Sequence, residues 1–162
     1  MPGSLTDNRA GEVALGVDPR IDTGLTFIGT IRAPWGPTDC PKNLRIARER
    51  GGGARILLRP EYALALQGLS DGQAIQLLYW VDRGQRDLIV QSPAHADGPR
   101  GVFALRSPVR PNPIALACVR ITKIDGPNLE IDAIDAWDGT PVLDIKPWLA
   151  TIDVPPDWRG PD

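Results

Sequence analysis

Histidine and cysteine are scarce in this chain of 162 residues: His95 is the one imidazole, and Cys40 and Cys118 are the two thiols. A lone histidine in a Pro/Ala/Asp/Gly loop disfavours histidine-dependent nucleophilic catalysis. Two cysteines without CxxC spacing do not supply a zinc site, and a disulfide framework is usually denser. They read as reduced thiols of a cytoplasmic protein, with Cys118 a small core residue. Long apolar runs are missing too. Stretches such as Leu77-Leu78-Tyr79-Trp80-Val81 fall far short of the roughly 20 residues a membrane helix needs. The N-terminus has no apolar segment followed by a small-residue cleavage site. The expectation is a protein without a metal or a membrane partner. Gly51-Gly52-Gly53 does not follow a strand and lacks a following lysine and hydroxyl residue. It is therefore neither a phosphate loop nor a dinucleotide fingerprint, and it reads as a flexible hinge.

What is present is an ordinary globular composition, 42% hydrophobic and 23% charged, with 17 prolines and 17 glycines that leave little room for long helices. Strands are predicted at 25–31, 54–58, 73–81, 88–91, 102–105, 114–124 and 129–134. The Asp125-Gly126-Pro127-Asn128 turn joins the last two as an antiparallel hairpin, and the in/out alternation of the last breaks at Ala133-Ile134, as at a bulge or a strand end. The runs 73–81 and 114–119 are nearly continuous in apolar residues, as for strands covered on both sides. One short helix opens at Pro60. Strands do not alternate with helices, so a doubly wound fold is disfavoured. The fold expected is mainly β: a small antiparallel β-barrel with one short helix and long Pro/Gly-rich loops. Residues 25–150 would form it, between a flexible N-terminal tail at 1–24 and a C-terminal tail at 151–162.

Charge is uneven along the chain. Six arginines (Arg83, Arg86, Arg100, Arg106, Arg110, Arg120) stand against Asp87 and Asp97 between residues 83 and 120, whereas nine acids and three cations follow from Ile121 onward. A whole-protein basic sheath is excluded, but a local arginine patch is not. Three segments then stand out. In Arg106-Ser107-Pro108-Val109-Arg110-Pro111-Asn112-Pro113, each proline fixes its own φ and restricts the residue before it, making a stiff, cation-bearing loop. Asp135-Ala136-Trp137-Asp138-Gly139-Thr140 is a turn that offers carboxylates, an aromatic face and backbone amides. The loop at 32–43 is too proline-rich for regular structure and too long for a tight turn. Asp82-Arg83 ends a buried strand, as either a strand terminator or a pocket rim.

At these segments the chain resembles the TsaA-like (YaeB-like) domain family. The matching runs are Phe27-Ile28-Gly29-Thr30-Ile31-Arg32, then Gly101-Val102-Phe103-Ala104-Leu105-Arg106-Ser107 through Arg110-Pro111-Asn112-Pro113-Ile114, and Asp138-Gly139-Thr140-Pro141-Val142-Leu143-Asp144-Ile145-Lys146-Pro147. The TrmO-type members are S-adenosylmethionine-dependent methyltransferases acting on N6 of threonylcarbamoyladenosine beside the tRNA anticodon. The resemblance implies a homodimeric β-barrel with tRNA as substrate. It also implies a methyl donor held by Pro41, Lys42, Asn43, Asp82, Arg83, Arg106, Leu116, Asp135, Ala136, Trp137, Asp138, Gly139 and Thr140. Where this chain has Asp82 the family commonly has histidine, and Lys42 and Asn43 stand in place of a common Arg-Gln. Bacterial members also carry a C-terminal extension that is lacking here.

Transfer of a methyl group from a sulfonium needs alignment more than acid–base power. Asp135, Asp138 or Asp82 and aromatic faces suit the sulfonium, and Arg106 or Arg83 suits the donor's carboxylate. Arg100 and Arg110 suit acceptor phosphate, and Asn112 could orient the base. The catalytic candidates are Asp135, Asp138 and Asn112, with the proton acceptor unassigned among the aspartates. A non-catalytic module sensing S-adenosylmethionine or another adenosine ligand is the alternative. A structural barrel dimerising through its tryptophans would leave the Arg-Pro-Asn-Pro loop without a purpose.

Overall fold

The computed structural model describes residues 8–17 and 20–160. Its strands are β1 (Val13–Ala14), β2 (Gly29–Arg32), β3 (Ala54–Leu58), β4 (Ala74–Trp80), β5 (Leu88–Gln91), β6 (Arg100–Gly101), β7 (Ile114–Asp125), β8 (Asn128–Ile131) and β9 (Pro141–Pro147). Two short α-helices, α1 (Leu44–Glu49) and α2 (Ala150–Asp153), and two 3-10 turns at Pro60–Leu66 and Val102–Ala104 complete it. Among the described residues no helix is long and apolar enough to cross a membrane. The chain divides into two compact units, one of Leu25–Trp80 with Leu116–Asp162 and one of residues up to 24 with Val81–Ala115.

The larger unit carries the expected barrel. It closes in the order β2-β3-β8-β7-β4-β9, with β2 antiparallel to β3 and β9, β3 to β8, β4 to β9 and β7 to β8. Alternate residues of β3, β4 and β8 point inward. Ile56 of β3, Ile75 and Leu77 of β4, Ile121 of β7, Leu129 of β8 and Val142 of β9 are wholly buried. Each such side chain stabilises the fold by roughly 1.5–3 kcal/mol. The predicted hairpin is present, with Asp125 opposite Asn128 and Gly126 at φ +59. Its register shift falls between Ile121 and Lys123 of β7; β8 ends at Ile131, and the break in alternation at Ala133-Ile134, both buried, lies past that strand end.

Several expectations are corrected. The outer face of β7 is uncovered: Ile114, Leu116 and Cys118 are exposed while Ala117, Val119 and Ile121 are buried, so Cys118 is not a core residue. β4 likewise alternates between buried and half-buried positions. β2 begins at Gly29 and not at 25. The short helix expected at Pro60 is present over Pro60–Leu66 with 3-10 geometry, and it buries Leu66 alone while Leu64 is exposed. A helix absent from the expectation, α1, starts after Asn43, whose Oδ1 accepts the Ile46 N–H at 2.9 Å, and it buries Ala47. Gly52 is no hinge. It is buried, its N–H donates to the Ala47 carbonyl at 2.9 Å, and its own carbonyl accepts from Ile134 at 3.1 Å.

In the smaller unit, β1, β5 and β6 form a three-stranded sheet in that order. β1 lies within the stretch expected to be a tail. Val13 pairs with Val90, the Leu15 N–H donates to the Asp87 carbonyl at 2.9 Å, and Ser92 Oγ holds the Ala10 carbonyl at 2.7 Å. The remaining tail positions 1–7 and 18–19 lie outside the described residues, as do 161–162. Residues 102–104, expected in a strand, form the second 3-10 turn, closed by Leu105 N–H on the Val102 carbonyl at 3.2 Å.

Candidate functional site

In the barrel unit the loop that follows β2 is stitched to the turn 135–140. The Gly139 N–H donates to the Ile31 carbonyl at 2.8 Å, and Ile31 N–H to the Thr140 carbonyl at 2.8 Å. Gly139 takes φ +83, the left-handed conformation that favours glycine. Asp138 N–H donates to the Trp35 carbonyl at 2.8 Å, while its Oδ1 accepts Ala33 N–H at 3.1 Å and lies 3.3 Å from Arg32 Nε. Trp35 Nε1 donates to the Ile134 carbonyl at 2.6 Å. Thr140, buried, turns its hydroxyl onto the Trp137 carbonyl at 2.7 Å. Asp138 is therefore the pin that joins loop to turn.

Asp135 has a different environment. Tyr79, the last inward residue of β4 and 4% exposed, donates its hydroxyl to Asp135 Oδ1 at 2.9 Å. Cys40 lies close enough for the charges of Asp135 and Asp39 to add to burial, which is the larger cause, in pushing its thiol up to about 11. A neutral thiol, a phenol and a half-buried carboxylate thus share one corner of the barrel unit. Ala136 is buried and Trp137 half-buried beside it in sequence. Of the first-loop residues, Pro41 is buried, Lys42 is exposed, and Asn43 is committed to capping α1. Leu116 is 42% exposed on the outer face of β7.

The other expected residues belong to the smaller unit. Asp82, Arg83, Arg100, Arg106 and Asn112 are exposed and Arg110 is half-buried. The Arg-Pro-Asn-Pro loop is held from within. Gln91, 7% exposed at the end of β5, donates to the Val109 carbonyl at 2.7 Å and accepts Ser107 Oγ at 3.0 Å. Arg86 Nε donates to the Pro111 carbonyl at 2.9 Å. Arg110 spreads its fork over the carbonyls of Leu105 and Ser107, each at 3.1 Å, and Val102 at 3.4 Å. The prolines restrict this loop and the side chains lock it.

A family model described as the tRNA-methyltransferase O N-terminal domain matches residues 30–154. The chain belongs to that family. A probable S-adenosyl-L-methionine-binding protein, VirR of Rhizobium radiobacter, is 36% identical over 140 residues, spanning 86% of this chain and 78% of that protein. A mouse tRNA (adenine(37)-N6)-methyltransferase is 33% identical over 132 residues, 80% of this chain and 30% of the mouse protein. The crystal structure of TrmO from Pseudomonas aeruginosa matches with a TM-score of 0.65 at 28% identity, covering 86% of this chain and 62% of that one. Another TrmO crystal structure matches at 0.67 and 29%, with 86% and 64% covered. The chain thus spans a little under two thirds of these solved chains.

Within this family frame, three residues the sequence reading did not single out carry the local geometry: Tyr79, Gln91 and Trp35. The inward phase shared by Ile75, Leu77 and Tyr79 was the available signal for the first. A glutamine closing the apolar run 88–91 was the signal for the second. The barrel unit also has a cleft of about 290 Å³ lined by Arg48, Ala74, Cys118, Val119, Arg120 and Asp132. None of the expected site residues lines it. Its guanidinium Arg48 pairs with Asp132 at 2.8 Å and holds the Cys118 carbonyl, so the cleft reads as a satisfied ion-pair network.

Proposed function

We propose that the chain is an S-adenosylmethionine-dependent methyltransferase that modifies N6 of threonylcarbamoyladenosine next to the tRNA anticodon, acting in the cytoplasm as a homodimer. The observation that carries the reading is the corner where Tyr79 holds Asp135 while Asp138 is spent on fastening loop to turn. Of the two carboxylates, Asp135 is the one assigned to the reacting centre, and Asp138 becomes a positioning residue. The donor set fits the ligand's chemistry. A carboxylate and an indole suit a sulfonium, backbone amides and Thr140 suit an adenosine, and Lys42 adds a cation. Arg106 and Arg83 are assigned to the donor's carboxylate, with Asp82 next to Arg83 in sequence.

When bound, S-adenosylmethionine supplies an electrophilic methyl group. The amide-like N6 is a weak nucleophile and would lose its proton as the new N–C bond forms and the methyl–sulfur bond breaks, the electron pair leaving with sulfur as a neutral thioether. Asp135 takes that proton, and the hydroxyl of Tyr79 fixes which oxygen faces it. Trp137, half-buried and two residues beyond Asp135, is assigned to shield the transferring methyl from water. Asn112 orients the base, and Arg100 contacts phosphate with support from the charge of Arg110. The uncovered Ile114, Leu116 and Cys118 face of β7 is assigned to contact with a second copy. Titration calorimetry with S-adenosylmethionine on wild type, Arg106→Ala and Asp135→Asn tests the reading. Heat with wild type that both variants weaken is expected, and no heat with any protein sinks it.

A second reading, donor binding without catalysis, is favoured by Asp82 at a position where the resembling family commonly has histidine. Donor binding without methyl transfer to any tRNA would establish it.

A further inference from the structure

Phe103 is 88% exposed, the most exposed large apolar side chain among the described residues. Burying a phenylalanine is strongly favourable, and here the folded chain gains almost none of that stabilisation. Nor is Phe103 on a loose end. It occupies the middle of the 3-10 turn Val102–Ala104, between buried Val102 and the half-buried Leu105. The carbonyls of Val102 and Leu105, on either side of it, are both held by the Arg110 fork. Gln91 and Arg86 fix the rest of the same loop. The ring is therefore presented on a rigid frame.

Its surroundings say what would cover it. Residues 98–114 contain Arg100, Arg106 and Arg110 and no aspartate or glutamate. Arg100 and Arg106 are exposed on the two sides of Phe103 in the chain. An aliphatic partner would desolvate the exposed Arg100 guanidinium and offer it no acceptor in return. An unpaired nucleobase flanked by phosphates satisfies both features, because every base has a π face to stack and its flanking phosphates carry negative charge. We propose that Phe103 is a stacking platform for an unpaired base of the RNA acceptor, with Arg100 neutralising an adjoining phosphate. The inference rests on the RNA acceptor of the reading above, though not on its methyl donor.

The test measures binding of a labelled anticodon stem-loop and of a blunt RNA duplex of equal length to wild type, Phe103→Trp, Phe103→Leu, Phe103→Ala and Arg100→Gln. Calorimetry with S-adenosylmethionine and sedimentation velocity accompany each protein. Stacking predicts that Trp keeps the stem-loop affinity while Leu and Ala lose it by roughly five- to hundredfold. Arg100→Gln should lower the salt dependence by about one phosphate contact. Donor binding and sedimentation stay at wild-type values in the Phe103 variants. The proposal is overturned if Leu serves as well as Phe, if Ala has no effect, or if wild type binds no RNA or prefers the duplex. A lost affinity that tracks a changed sedimentation coefficient also overturns it, in favour of contact between copies. Wild type that binds the stem-loop through Phe103 but no S-adenosylmethionine would leave this inference standing and remove the methyltransferase reading.

Discussion

Replacing Gly52 by alanine tests the seat of the first loop. The new methyl carbon would lie 2.2 Å from Trp35 Cζ2 and 2.8 Å from the Ala47 carbonyl oxygen. Carbon atoms in contact prefer roughly 3.5–4.0 Å, so the indole must retreat by more than about 1 Å. It cannot do so freely, because Trp35 donates through Nε1 to Ile134 and accepts from Asp138 through its carbonyl. Overpacking of this kind costs about 1–3 kcal/mol, and losing one of those hydrogen bonds adds about 1. At about 2–4 °C per kcal/mol for a domain of this size, Tm should fall by roughly 4–16 °C. The neighbouring glycines are internal controls. Alanine at Gly53 meets its nearest atom at 3.4 Å and should be neutral or slightly stabilising. Alanine at Gly51 enters open space but must adopt φ +66, a penalty of about 1–2 kcal/mol. Differential scanning calorimetry of the three variants should rank the damage Gly52, then Gly51, then Gly53. If Gly52→Ala melts with Gly53→Ala, the Trp35 seat does not exist and the triplet is a hinge after all.

Three further outcomes follow from the same geometry. Tyr79→Phe removes one hydrogen bond to a carboxylate, and S-adenosylmethionine affinity or turnover should drop by about three- to tenfold with the barrel intact by circular dichroism. Asn43→Ala should cost about 1 kcal/mol through the lost α1 cap, whereas Asn43→Asp keeps the cap and the stability; equal loss of donor affinity in both would give Asn43 a ligand role instead. The Cys40 thiol titrates higher in the folded chain than the ordinary 9.0, so folding favours its neutral form. That contribution is complete below pH 9 and fades as pH rises toward about 11. Denaturant midpoints should therefore fall over this window in wild type and fall less in Cys40→Ala.

The barrel was legible because strands such as β3 and β8 alternate cleanly and the Asp125-Gly126-Pro127-Asn128 turn announces the pairing of β7 with β8. β7 misled for a physical reason. Ile114, Leu116 and Cys118 are apolar on a face that this chain alone does not cover, so the run mimics a strand buried on both sides. Residues 102–105 have strand-like composition, but the Arg110 fork draws their carbonyls into a turn. Helix α1 was missed because six residues burying one alanine leave almost no apolar periodicity, although Asn43 was a visible cap. At the site, the residue types of the 135–140 turn were readable. The division of labour between Asp135 and Asp138 was not, since it depends on Tyr79 and Ala33, distant in sequence.

The most direct measurement is methyl transfer itself. The chain is incubated with methyl-labelled S-adenosylmethionine and tRNA bearing threonylcarbamoyladenosine, and digested nucleosides are read by mass spectrometry. Label on N6 of that nucleoside, abolished by Asp135→Asn and slowed by Tyr79→Phe, is the predicted result. Unlabelled tRNA from a protein that demonstrably binds the donor would contradict the account.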